Sequence, residues 1–198
     1  MPTPNGKTGR AKPVRAQILH AALQLFSTRG YFNTSIHDIQ RTANVAMGSI
    51  YNHFSGKEAI ARALYDDLLA QMEILVDDVV KHNASTHDRA RAIVDALFSL
   101  TETNPDMIGF ILNARHREFL IDEPGICSSR PFRKMRDIIA QGMQHGEVRK
   151  MDPWVAASLA FGPALRMISL RLDGMIERPL SDGADEVWNA TWTAIAAS

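Results

Sequence analysis

Residues 34–60 read TSIHDIQRTANVAMGSIYNHFSGKEAI, and the spacing inside this stretch decides the fold. Ser35 and Asp38 have the S-x-x-D form of a capping box, so a helix of about two turns is expected to start there with Ile36, Ile39 and Ala43 facing inward. Asn44 interrupts it; asparagine is one of the few non-glycine residues that tolerates left-handed backbone. Val45 plugs the corner, and a second short helix is expected over about 47–53, with Ile50 and Phe54 at i and i+4 toward the core. Its other face presents Met47, Ser49 and Asn52, with Gly48 and Tyr51 beside them. Two helices of this size joined by Asn44-Val45-Ala46 have the layout of a helix-turn-helix.

Working outward, Val14, Ile18, Ala21, Ala22, Leu25 and Phe26 form one apolar face over about 13–29, opened by Pro13 and closed by Gly30. After Ser55-Gly56 a long periodic helix is expected from Lys57 to about Lys81, long enough to join two domains. Further helical periodicity falls at about 87–103, 105–120, 131–145, 153–173 and 184–197, with Pro163 expected to kink the run that contains it. Strand signals are weak throughout. The expected fold is all-α, about nine helices: a flexible basic arm (1–12), a three-helix helix-turn-helix domain (13–56) and a C-terminal helical bundle for ligand sensing and dimerisation (57–198).

With 45% hydrophobic and 22% charged residues, a chain of 198 residues can bury a substantial core. The net charge is zero, but residues 1–62 hold eight Lys and Arg against two acids, a net +6, and the remainder carries −6. That asymmetry suggests a basic module for a polyanion beside an acidic module with another task. The N-terminal residues have no apolar run that could serve as a signal sequence, and the uncharged stretch 154–165 is short for a membrane span, so a cytoplasmic protein with no membrane partner is expected. A single cysteine, Cys127, offers neither an internal disulfide nor a zinc cluster, and no metal or cofactor is expected.

A reading helix must be slim enough to enter a major groove about 12 Å wide, which Gly48 and Ser49 near its start allow. Helix N-termini carry unpaired N–H groups that suit phosphates, which puts Thr34, Ser35 and Lys57 at candidate backbone contacts. Asn52 has the groups to pair with adenine, and Met47 can meet a thymine methyl. The ordered pattern Phe26, Gly30, Thr34, Ile36, Ile39, Ala43, Val45, Gly48, Ser49, Ile50, Tyr51, His53, Phe54, Lys57 and Glu58 resembles the DNA-binding segment of the TetR family of transcriptional regulators. The resemblance implies phosphate contacts from Tyr51, His53 and Lys57, base reading by the exposed residues of the third helix, and a ligand-released homodimeric repressor. Three positions depart from the family's pattern: Asn44 replaces the usual glycine, Ala46 replaces the usual Ser or Thr cap, a loss of roughly 1 kcal/mol, and Met47 replaces a commonly polar or basic residue.

A single reading helix offers little contact area, so a homodimer on a pseudo-palindromic double-stranded DNA operator is expected. The candidate dimer surface is the small-residue stripe Ala156, Ala160 and Ala164 with the bulky stripe Trp188, Trp192 and Ile195. Candidate contacts for a largely apolar small-molecule effector are Phe98, Met107, Phe110, Asn113, His116, Met135, Phe161 and Arg166. Two alternatives stand beside this reading: a DNA-binding regulator without an effector, and a helical enzyme using His116. The second has little behind it, because no P-loop, H-E-x-x-H or G-x-S-x-G occurs and His116 and Glu118, at i and i+2, do not face one another on a helix.

Overall fold

The computed structural model describes residues 13–113, 116–121 and 125–197. Among them run nine α-helices: α1 (Val14–Arg29), α2 (Ile36–Ala43), α3 (Met47–His53), α4 (Lys57–His82), α5 (Thr86–Thr103), α6 (Pro105–Asn113), α7 (Arg130–His145), α8 (Pro153–Leu172) and α9 (Ala184–Ile195). Short 3₁₀ turns occupy His116–Glu118, Ile126–Ser128 and Leu180–Gly183. The described backbone is therefore all-α, apart from one isolated antiparallel bridge between Val148 and Ala196.

The chain divides into two compact units, Met1–Leu64 and Tyr65–Ser198. The division falls inside α4 rather than at residue 56, because Ile60, Ala61 and Leu64 of its first two turns are buried with the first unit. In that unit α1 packs on α2 and α3, closing a core of Ile18, Ala22, Leu25, Phe26, Ile39, Ile50 and Phe54. Local chemistry sets the corners. Ser35 and Asp38 make a reciprocal capping box at α2. Asn44 ends α2 in the left-handed region at φ 53°, the only positive φ among described non-glycine residues. Gln40 Nε2 donates to the Val45 carbonyl at 2.5 Å, tying the turn back to α2.

In the second unit α5, α7, α8 and α9 pack on one another, with α6 on α5 and α8. Gly142 lets α7 approach the start of α5: a Cβ there would stand 2.5 Å from Thr86 Cγ2 and 2.9 Å from Val148 Cγ2. Glu147 then accepts from the Thr86 N–H at 2.9 Å and the Thr86 hydroxyl at 2.8 Å, satisfying the N-terminus of α5 from a residue 61 positions away. The periodicity expected over 105–120 is cut short: α6 ends at Asn113, and His116–Glu118 form a separate 3₁₀ turn. α8 continues through Pro163. By length and composition α8 is apolar enough to cross a membrane. Its Ala156, Ala160, Phe161, Ala164 and Ile168 are buried, and the helix packs on α5, α6, α7 and α9.

Candidate nucleic-acid interface

α3 is held by its inward residue Ile50, fully buried, and by Phe54 just past its end. That anchoring leaves Gly48, Tyr51, Asn52 and His53 exposed and Met47 and Ser49 half-buried, so the outward face expected from spacing is present. Tyr51 is 57% exposed, a large aromatic ring left open among the described residues. Gly48 has a negative φ and open space where a Cβ would stand, so the fold itself does not require glycine there. Ala46, at the N-cap of α3, makes no side-chain cap, as its sequence implies.

Two residues expected at phosphates have hydrogen-bond partners within the chain. Thr34 is only 1% exposed, and its hydroxyl donates to the carbonyl of Gly30 at 2.9 Å, so it seals the turn after α1 rather than facing solvent. Ser35, one residue on, is the exposed cap of α2. Lys57 turns inward: its Nζ donates to the carbonyls of Tyr31 at 2.9 Å and Thr34 at 2.8 Å and lies 4.1 Å from the centre of the Tyr31 ring. Partial burial pushes its ammonium below the ordinary lysine range. Sequence gave Lys57 a position but not a direction; Tyr31, whose carbonyl and ring receive it, carried no signal of its own. The expected basic arm, 1–12, lies outside the described residues.

In the second unit, Phe98, Met107, Phe110, His116, Met135 and Phe161 are all buried. Phe110 and Phe119 flank the His116 imidazole, with centroids 4.9 and 5.7 Å away, and Tyr65 packs on it at 4.4 Å. Asn113 ends α6, and its side chain lies outside the described ones. Arg166 does not join this group: it is exposed and lines a groove between α8 and α9. A groove of about 410 Å³ opens instead between α4 and α7, lined by residues the sequence did not single out, among them Tyr65, Leu69, Ser129 and Arg130, and not by His116. Among the described residues no cluster of three His, Cys, Asp or Glu could hold a metal ion.

The dimer candidates also need correction. Ala156, Ala160, Ala164, Trp188 and Ile195 are buried within the chain, and Trp188 donates its indole N–H to His87 Nε2 at 2.9 Å. Trp192, half-buried, stacks on Trp188 with centroids 5.6 Å apart. Small and bulky stripes of this kind pack equally well inside one protomer or between two, and spacing alone does not distinguish them. The exposed apolar face lies one position away: Val155 (51% exposed) and Leu159 (37%) on α8, which with Pro163, Val187, Ala190 and Ala194 flank or line the α8–α9 groove of about 630 Å³.

Residues 18–64 match the family model for bacterial regulatory proteins of the tetR family. The chain is 25% identical over 154 residues to the fatty acid metabolism regulator protein of Bacillus subtilis, covering 76% of this chain and 79% of that one. It is 26% identical over 146 residues to the transcriptional repressor KstR2 of Mycobacterium tuberculosis, covering 71% and 72%. The fold is shared with a TetR family transcription regulator of Marinobacter aquaeolei at a TM-score of 0.80 and 18% identity, over 93% of this chain and 96% of that one. The helix-turn-helix segment thus matches the tetR family of bacterial regulatory proteins, and similarity to relatives and to solved folds extends over both units.

Proposed function

We propose that this protein is a cytoplasmic transcriptional repressor that binds a pseudo-palindromic operator as a homodimer and is released by a largely apolar small molecule. The observation that carries the DNA-binding reading is the outward face of α3, where Gly48, Tyr51, Asn52 and His53 are exposed on a helix anchored by Ile50. Ser49 and Asn52 supply polar groups for base edges, Met47 an apolar one, and Tyr51 and His53 contacts to the flanking backbone. Ser35, at the exposed start of α2, adds a helix N-terminus for a phosphate. Two-fold symmetry then pairs the exposed α8–α9 face of one protomer with the same face of another. α4, whose residues belong to both units, is the element through which occupancy of the second unit reaches the first.

The relatives support regulation rather than catalysis: their names describe a regulator of fatty acid metabolism and a transcriptional repressor. The first of these names, which refers to fatty acid metabolism, supports an apolar effector for this chain. The test is a mobility-shift titration of the full chain against the DNA preceding its own gene, across a range of salt concentrations. Sequence-dependent binding that weakens with salt is expected; binding that is absent, or indifferent to sequence, overturns the proposal.

A further inference from the structure

The groove between α8 and α9 has a charged end and an apolar end. Its α8 wall runs Leu159, Pro163, Arg166 and its α9 wall Glu186, Ala190, Ala194, each row stepping by three or four residues along one side of its helix. The bridge between Val148 and Ala196 ties the end of α9 back to the segment that precedes α8, so the two helices run antiparallel. Arg166 and Glu186 therefore share the end of the groove far from that bridge, and Leu159 and Ala194 share the near end. Both charged side chains are exposed, and among the described residues neither has a hydrogen bond or ion pair. Opposite charges scattered on a solvated surface need no partner. Here each terminates an apolar row, and that pattern restricts how a second copy of the chain can cover the groove.

An isologous contact has its two-fold axis in the plane of contact. With the axis across the groove, α8 meets the partner's α8 and the charged end of each protomer covers the apolar end of the other. Arg166 and Glu186 would then lose water against Leu159 and Ala194 and gain no counter-ion, a costly arrangement. With the axis along the groove, α8 meets the partner's α9 at the same height. Arg166 then faces the partner's Glu186, and symmetry repeats the pair on the other side.

We propose that two protomers pack groove to groove about an axis running along α8 and α9, and that reciprocal Arg166–Glu186 ion pairs between protomers select that arrangement. Leu159, Pro163 and Ala190 supply the apolar contact. Arg178, exposed beside Gly183 at the start of α9, adds a second cation at the charged end. The proposal rests on the homodimer reading above and names the residues by which one protomer recognises the other.

Arg166→Glu and Glu186→Arg are made in separate full-length chains, checked for unchanged helical circular dichroism, and studied alone and as an equimolar mixture by sedimentation velocity and native mass spectrometry. Each variant alone sets like charges at both contacts and is expected to dimerise about tenfold or more weakly than the parent. The mixture restores both pairs, so the heterodimer should hold about 90% of the dimers, against half for random pairing. That preference should fade as salt is raised. A pair formed within one chain is broken in every chain of the mixture, so the mixed arm reports contacts between protomers alone. If either reversal does not fold, Arg166→Asp and Glu186→Lys carry the same expectations.

Random pairing in the mixture, or single variants that dimerise as tightly as the parent, overturns the ion pairs and leaves the homodimer standing. A parent chain that stays monomeric at every concentration overturns both and gives the groove to another occupant.

Discussion

The ammonium of Lys57 shows how little a side chain's type says about its direction. It bonds two carbonyls of the turn after α1 and lies against the Tyr31 ring, so it braces the reading unit from within. Hydrogen bonds from a charged donor contribute about 1.5–3 kcal/mol. Lys57→Met is therefore expected to lower stability by about 1–3 kcal/mol in urea denaturation while leaving the salt slope of DNA binding within about half a unit of the parent. A slope lowered by a full unit would instead assign Lys57 to a phosphate. Gly48 makes the opposite case. With open space at its Cβ position and a negative φ, Gly48→Ala is expected to keep or gain up to about 1 kcal/mol of stability. Because the groove floor approaches that position in the proposed complex, the same variant should weaken DNA binding tenfold or more in the mobility-shift assay.

At the scale of elements, the two helices of the motif differ in how their first turns are satisfied. α2 has a full capping box, and the Ser35 hydroxyl and amide, with Arg41 beside them, hold the Asp38 carboxyl well below the usual carboxylate range. A carboxyl depressed in the folded state stabilises above its unfolded pKa, near 4, and that stabilisation is lost as pH falls toward the folded value. Asp38→Asn should flatten the acid limb of a melting-temperature profile below about pH 4. An unchanged acid limb would remove Asp38 from that role. α3 has no side-chain cap at Ala46. Ala46→Ser is thus expected to raise stability by about 1 kcal/mol, read as a higher urea midpoint with an unchanged slope. Much of this motif was legible in the sequence, because caps, the left-handed Asn44 and the inward Ile39 and Ile50 act over three or four residues. The close approach at Gly142 and the Glu147 cap on α5 were not, since they join positions far apart in the chain.

For the whole molecule, the proposed dimer surface is the exposed α8–α9 face. Leu159 is exposed beside the groove between these helices, whereas its neighbour Ala160 is 1% exposed. Leu159→Arg should leave the helical signal and melting cooperativity intact while converting a dimer to a monomer in sedimentation velocity. Ala160→Leu, which overfills a packed core, should cost about 1–3 kcal/mol of stability instead. A dimer that survives Leu159→Arg would place the interface elsewhere.

The sequence by itself determined most of the helices, the capping box of α2 and the outward face of α3, because periodicity and local capping are set by residues within a turn or two of each other. Only the tertiary structure decided that Thr34 and Lys57 bond to carbonyls of the turn after α1, that the Ala156–Ala160–Ala164 stripe and Trp188 are buried within the chain, and that His116 Nδ1 and Ser129 Oγ are buried without a partner among the described residues. The physical reason is that burial and hydrogen-bond satisfaction depend on which distant segments meet. An apolar or polar stripe records that it seeks a partner, and packing alone selects which one.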